Sequence, residues 1–329
     1  MSKPWGFRVA STPSAGGGHL ARSCAVISCM TEPVVLFLDP DTPPALRPLI
    51  KHLKTRTESD STCCDSLIEE CSSGNLAGVV IDGYHFESSD INACRQHTPL
   101  AMFQDDIAQR PCDLAIFPLL SHNLPGTHLN GYHFAPLSQD FRAAHRRAIQ
   151  RAERAAGRLH LLIAFGQVDS ANVTSAALEA LKQIGGDIQV TVSLGGGATH
   201  LQLIKDQVES ISNCIMEVGR ESLIPLYEST DIAIGAPGIS QLERMCCGIP
   251  TILVPQNEIQ LHLAERFAES GAAIACAPKS SAIETSLRSL LSHRQQQTQL
   301  RTRCTQLIDG RGAKRIAAAI EAGRERRWQ

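Results

Sequence analysis

The chain has no apolar run long enough to cross a bilayer. Val34–Leu38 and Thr251–Val254 are typical of its longest stretches, and a spanning helix needs roughly 20 residues. No membrane span is expected. Residues 1–8 lack the apolar stretch and small-residue cleavage site of a secretory leader, so the expected compartment is the cytoplasm. The 12 cysteines include no C-x-x-C, and two pairs are directly adjacent, Cys63-Cys64 and Cys246-Cys247. That spacing excludes a zinc ribbon or a dithiol redox motif, and in a reducing compartment the thiols are expected to pack as small hydrophobes. A net charge of −2 gives no global attraction for nucleic acid or an anionic membrane. The 24 glycines and 17 prolines fall short of a collagen-like or low-complexity chain, and no short repeat marks a solenoid.

What the sequence does have is 329 residues, 43% of them hydrophobic, enough for two cores of roughly 150 residues each. Short β-branched runs alternate with segments of helical period, the pattern of parallel sheets built from βαβ units. Strands are expected near residues 7–10, 34–38, 78–81, 100–103 and 114–117 in the first half. In the second half they are expected near 160–165, 188–194, 215–218, 232–234, 251–254 and 272–275. The expected architecture is α/β, with two doubly wound Rossmann-like domains facing each other across a cleft. The first would span 1–140 and the second 159–312. Between them, the charge-rich stretch 141–158 reads as a solvated linker helix without the aromatic residues that base stacking needs. Residues 313–329 read as a mildly basic C-terminal helix.

In such sheets the loops leaving the C-terminal ends of strands present backbone N–H groups and helix N-termini to ligands. The first such loop, Ser14–Arg22, carries Gly16, Gly17 and Gly18 ahead of His19. Glycine lets the backbone approach a ligand closely, and imidazole titrates near neutrality, so His19 is a candidate general base. A helix-capping or core histidine is the alternative. The loop lacks the lysine of G-x-x-x-x-G-K-[ST] and the spacing of G-x-G-x-x-G, which disfavours a P-loop ATPase and a Rossmann dehydrogenase. Three loops of the second half, at Phe165–Asp169, Leu194–Ala198 and Gly235–Ser240, have the same position. N–H groups around Gly238 and Ser240 suit a pyrophosphate, and Glu243, one turn into the following helix, suits ribose hydroxyls. Ordinary βα turns with an acid in the first helical turn are the alternative. His85, His97, His122, His128 and His133 show no H-x-x-x-H pairing and are read as surface or structural residues. Tyr84, at the end of an expected strand, could reach a bound ligand or His19, and Asp105 and Asp106 could be paired carboxylates but are read as a loop and helix cap.

Five segments in order resemble one family. Arg8 to Arg22 is similar to R-x-D…G-x-G-H-V-x-R, Val80–Tyr84 to V-V-D-x-Y, and Gln104–Asp113 to I-D-D-L-A-x-R-x-C-D. Phe165–Thr174 is similar to F-G-G-x-D-P-x-N-x-T, and Leu242–Pro250 to W-E-R-C-C-x-G-x-P. These are patterns of the UDP-sugar hydrolases of pseudaminic-acid biosynthesis, the PseG type, which have the two-domain GT-B fold of MurG-like glycosyltransferases. The resemblance implies hydrolysis of a UDP-linked 2,4-diacetamido-2,4,6-trideoxy sugar without metal or other cofactor, with inversion. It makes His19 the base and Arg8, Gly17, Gly18, Arg22 and Tyr84 substrate-binding. Phe165, Gly166, Gly195, Gly238, Ser240, Glu243 and Gln260 would hold the nucleotide. Ala10 stands where the family has aspartate, implying a missing carboxylate near the sugar or the histidine. Gln167 replaces a glycine, narrowing a nucleotide loop, and Ile259 replaces an asparagine, implying an altered sugar. A GT-B glycosyltransferase that uses His19 on an acceptor hydroxyl, and a nucleotide-sugar-binding protein without catalysis, are the competing readings.

Overall fold

The structure is a computed structural model that describes residues 2–15, 17–105, 110–119, 128–151 and 158–326. Gly16, Asp106, His122, the linker stretch 152–157 and Arg327 lie outside the described residues. The chain divides into two units, residues 1–139 with 310–329, and residues 140–309.

Unit 1 begins with β1 (Trp5–Val9), α1 (Gly18–Ile27), β2 (Val34–Leu38), β3 (Lys54–Thr57), α2 (Asp65–Ser72), β4 (Gly78–Asp82) and α3 (Ser88–His97). It continues through β5 (Leu100–Phe103), β6 (Leu114–Phe117) and β7 (His128–Asn130). Unit 2 runs α4 (Phe141–Gln150), β8 (Leu159–Ala164), α5 (Val173–Ile184), β9 (Ile188–Leu194), α6 (Leu201–Glu209), β10 (Cys214–Val218) and α7 (Ile224–Ser229). Then come β11 (Ile232–Gly235), α8 (Ile239–Cys246), β12 (Thr251–Leu253), α9 (Glu258–Glu269), β13 (Ile274–Ala275), α10 (Ser280–Ser292) and α11 (Arg294–Leu307). The last helix, α12 (Gly312–Arg326), belongs to unit 1.

Both sheets are parallel, in the orders β3-β2-β1-β4-β5-β6-β7 and β10-β9-β8-β11-β12-β13. Each order reverses direction once, between β1 and β4 and between β8 and β11. In open α/β sheets the crevice beyond the carboxyl ends at that reversal is where ligands sit. The register there pairs Val9 with Asp82 and Ala164 with Gly235.

The central strands are enclosed on both faces, which is why they read as apolar runs rather than as alternations. Along β2 the core still divides by parity: Leu36 and Leu38 join Phe7, Val9 and Val80 in one cluster, while Val35 and Phe37 join Val79 and Ile81 in another. Unit 2 is built around Leu161, Ile163, Val190, Val192, Ile232, Ile234 and Ile252, with α5 and α10 packed onto them.

The structure differs from the sequence expectations at four places. The edge strand β3, Lys-Thr-Arg-Thr, is exposed throughout, and β7 is only partly buried. Neither carries the apolar signal by which a strand is read. The expected linker helix ends at Gln150 and belongs to unit 2, because Phe141, Ala144, His145 and Ala148 form a buried stripe beneath exposed arginines. The final helix is not a separate appendage: Ala313, Ile316, Ala317 and Ile320 complete the unit 1 core beside α1. No helix among the described residues is long and apolar enough to cross a membrane.

Candidate functional site

The residues expected to carry chemistry fall at the two strand reversals. In unit 1 the backbone of β1 leads through Ala10, whose N–H donates to the Asp82 carbonyl at 2.8 Å, into the loop that opens α1. His19, Arg22 and Ser23 stand at i, i+3 and i+4 on α1 and share one face. That face meets one carboxylate, the terminal residue of β4. His19 Nδ1 is 2.6 Å from Asp82 Oδ1, and Arg22 Nη2 and Nε donate to Asp82 Oδ1 and Oδ2 at 2.5 and 2.8 Å. Ser23 Oγ donates to Oδ2 at 2.9 Å. Asp82 has no exposed surface and His19 is 6% exposed.

The shorter contact decides the tautomer: an ionised carboxylate only accepts, so the 2.6 Å bond to Asp82 calls for the proton on Nδ1 and the lone pair on Nε2, with Arg22 Nη2 at a longer 3.1 Å from Nδ1. Among the described residues nothing hydrogen-bonds Nε2. Burial alone would push the Asp82 carboxyl up, but the Arg22 guanidinium and the His19 ring hold it well below the usual carboxylate range. Arg22 Nη1 also donates to Asp105 Oδ1 at 2.7 Å, and the Tyr84 hydroxyl donates to Asp105 Oδ2 at 2.6 Å. Against the opposing effect of burial, Arg22 holds Asp105 low as well. Burial and Asp105 together push the Tyr84 phenol up, so it stays a protonated donor. Its ring meets His19 edge to face at 4.8 Å between centroids.

Three expectations are corrected here. The carboxylate that Ala10 seemed to remove from the histidine is present as Asp82, reached across the β1/β4 register rather than along β1. Asp105, read as a loop and helix cap, is a buried partner of Arg22 and Tyr84. Arg8, expected at the substrate, is wholly enclosed. Its guanidinium bonds Asp39 at 2.7 Å and the Ser61 and Cys63 carbonyls at 3.0 and 3.2 Å, and it lies over the Phe86 ring. It offers no surface to a ligand in this structure. Asp39 in turn accepts from the Ser11 N–H at 2.6 Å, so Arg8 holds the start of the loop before His19 indirectly. Gly17 precedes α1 and Gly18 opens it, with no side-chain cap on the helix.

In unit 2 the first two loops are tied together: Gly195 N–H donates to the Gly166 carbonyl at 3.2 Å, and Gly166 has a φ of +85°. A Cβ on Gly195 would lie 2.2 Å from the Gln167 backbone. Gly195 is thus set by a close backbone approach, and the exposed Gln167 side chain does not fill the loop. Phe165 is buried, and its carbonyl accepts from Gln256 Nε2 at 3.2 Å. Gln256 N–H donates to Gln260 Oε1 at 2.9 Å, and the Asn257 side chain caps α9. Gln260 therefore has its amide oxygen engaged, while Ile259 beside it is 56% exposed.

The third loop opens α8. Gly238 and Ser240 are partly exposed at its N-terminus, and a Cβ on Gly238 would meet nothing within 4 Å. Glu243 accepts from the buried Tyr227 hydroxyl at 2.8 Å, and burial pushes its carboxyl up despite that bond and the nearby Arg244 guanidinium. Sequence reasoning assigned no role to Asp82, Gln256 or Arg244. Asp82 and Arg244 stand inside the matched segments Val80–Tyr84 and Leu242–Pro250, which is the signal the sequence held for them.

No family model matches the chain. The "Spore coat polysaccharide biosynthesis protein SpsG" of Bacillus subtilis is 26% identical over 169 residues, 49% of this chain and 50% of that protein. The match thus spans about half the length of that curated relative. Among solved structures, Acinetobacter baumannii MurG superposes with a TM-score of 0.72 at 15% identity, over 97% of this chain and 99% of that one. The UDP-GlcNAc 2-epimerase of Neisseria meningitidis, solved bound to UDP-GlcNAc, gives 0.61 at 13% identity over 97% and 99%. The chain has the GT-B fold, made of two parallel-sheet Rossmann-like units.

Proposed function

We propose that this GT-B chain is an enzyme acting on a nucleotide sugar, in which His19 takes the proton of the hydroxyl that attacks the anomeric carbon. The carrying observation is the 2.6 Å contact of His19 Nδ1 with Asp82 at the β1/β4 reversal. A carboxylate on Nδ1 holds the ring in one tautomer, directs Nε2 outward as base, and stabilises the imidazolium that forms. As the attacking oxygen bonds to the anomeric carbon, the bond to the diphosphate oxygen breaks. The proton passes to Nε2 and the nucleoside diphosphate leaves with the electron pair. Attack from the face opposite the leaving group inverts the centre. Gly17, Gly18 and Tyr84 would meet the sugar, and Arg22 positions His19 through Asp82.

In unit 2 the loops at Phe165–Gly166 and Gly238–Ser240, with Glu243 and the amide nitrogen of Gln260, suit the nucleotide: helix N–H groups for phosphate and an acceptor for ribose. The nucleotide-sugar class is supported by the printed names of MurG-like and epimerase neighbours and of the polysaccharide-biosynthesis relative. They favour a glycosyltransferase with a sugar or other alcohol as acceptor. The five ordered motifs favour a second reading, water as acceptor and a UDP-2,4-diacetamido-2,4,6-trideoxy sugar as substrate, a soluble hydrolase of the PseG type.

Release of UDP decides between them, measured with chelator present on UDP-2,4-diacetamido-2,4,6-trideoxy-β-L-altrose and UDP-GlcNAc, with and without acceptor alcohols. Acceptor-dependent release supports transfer, and acceptor-independent release supports hydrolysis. In either case His19→Ala should lose about a hundredfold or more. An unchanged His19→Ala rate overturns the base assignment, and binding without release by any substrate leaves a binding protein.

A further inference from the structure

Three arginine side chains are buried among the described residues, Arg8, Arg22 and Arg244. The first two end on carboxylates, Asp39 for Arg8 and Asp82 with Asp105 for Arg22. Arg244 does not. Fully enclosed on α8, it donates from Nε to Gln241 Oε1 at 3.0 Å and from Nη2 to the Ala236 carbonyl at 2.7 Å, with Nη1 3.5 Å from Ser240 Oγ. All of these partners are uncharged, and among the described residues it forms no ion pair. The adjacent acid, Glu243, takes its hydrogen bond from Tyr227 instead. Burial pulls the Arg244 pKa down by more than Tyr227 and Glu243 raise it, whereas in Arg22 the same effect of burial is overcome by Asp105 and Asp82.

A buried cation whose hydrogen bonds all go to uncharged groups, and whose neighbouring acid offsets burial only in part, is costly, and proteins hold one where something further answers it. Two further features show on which side the answer lies. Gly235 leaves no room for a Cβ, which would lie 2.8 Å from Arg244 Nη1, so the guanidinium packs directly under the loop that ends β11. Above the same loop, Gly238 faces open space. At the first turn of α8 a buried donor, Gln241 Nε2, lacks a hydrogen-bond partner among the described residues. The first turn of α8 thus combines a buried guanidinium without an ion pair, an unpartnered amide donor and a glycine with open space beside it.

We infer that Arg244 is the buried counter-charge of an anion site: acting through the Ala236–Ser240 loop, without touching the ligand, it neutralises a diphosphate bound at the N-terminus of α8. Identification of the anion as a nucleotide's diphosphate rests on the function proposed above. Because the intervening medium is protein, salt does not screen this attraction as it does a surface pair. The attraction strengthens as charge develops on the departing diphosphate, so Arg244 acts as a positioning residue for the leaving group.

The test is calorimetric titration of the full chain with inorganic pyrophosphate, UDP and uridine, for wild type, Arg244→Gln and Arg244→Lys. Arg244→Gln should weaken pyrophosphate and UDP about tenfold or more and leave uridine unchanged. Arg244→Lys, which keeps the charge but not the fork, should restore most of the loss. Should the glutamine variant not fold, lysine alone decides, since a merely structural arginine predicts that pyrophosphate binding falls in Arg244→Lys. Equal pyrophosphate affinity in wild type and Arg244→Gln overturns the inference, as does a wild type that binds no pyrophosphate. A wild type that binds pyrophosphate but neither UDP nor uridine keeps the anion site and overturns the nucleotide reading.

Discussion

His19 Nδ1 lies 2.6 Å from Asp82 Oδ1, although the two residues are 63 positions apart in the chain. The contact exists because β1 and β4 are neighbours and α1 lays one face over the end of β4. Replacing Asp82 with Asn keeps the shape but lets the wrong ring nitrogen carry the proton. We expect Asp82→Asn to lower turnover by about a hundredfold to ten-thousandfold with nucleotide affinity unchanged. A variant within about threefold of wild-type kcat would remove Asp82 from the mechanism.

Acid sensitivity follows from the same cluster. Asp82 and Asp105 are held below the usual range, so their stabilisation is complete above the unfolded carboxylate value of about 3.9 and is lost as pH falls through their lower folded values. Glu243 is raised, so its contribution has the opposite sign, present at low pH and lost as pH rises through its folded value. Urea midpoints measured between about pH 2 and pH 7 should show Asp105→Asn flattening the acid loss. Glu243→Gln should gain stability relative to wild type at pH 7. If Glu243→Gln instead loses ground with rising pH, its carboxyl is not raised.

Two glycines should respond in opposite ways. Gly195→Ala drives a methyl into the Gln167 backbone, and overpacking of this kind costs typically about 1–3 kcal/mol, seen as a lower denaturant midpoint. Gly238→Ala meets open space and should leave the midpoint unchanged. Any effect it has should fall on UDP affinity. A destabilised Gly238→Ala with intact binding would contradict the open loop.

The final helix is tested by Ile320, which is fully buried in the unit 1 core. Ile320→Ala should cost about 2–5 kcal/mol in urea unfolding. A cost near that of a surface substitution, within about 0.5 kcal/mol, would mean that α12 is dispensable to unit 1.

Much of the fold could be read from the chain because parallel strands enclosed on both sides are apolar throughout. Val34–Leu38, Leu100–Phe103, Leu114–Phe117 and Ile188–Leu194 appear in the structure at the limits expected for them. The glycine loop before His19, the acid Glu243 and the strand ends that carry them were legible for the same reason, since loops at carboxyl ends have a recognisable composition. By itself the sequence determined two βαβ units and the candidate groups at their edges.

Tertiary structure alone decided which of those groups meet. The polar edge β3 gives no hydrophobic signal, and the return of α12 to unit 1 is a choice of apolar partner that periodicity does not encode. Arg8, Arg22 and Arg244 are alike as letters, yet one braces a loop from Asp39, one clamps Asp82 and Asp105, and one has no carboxylate. The physical reason is that a charge takes its role from the counter-charge that folding brings within about 3 Å, and strand order, not sequence distance, sets that neighbour.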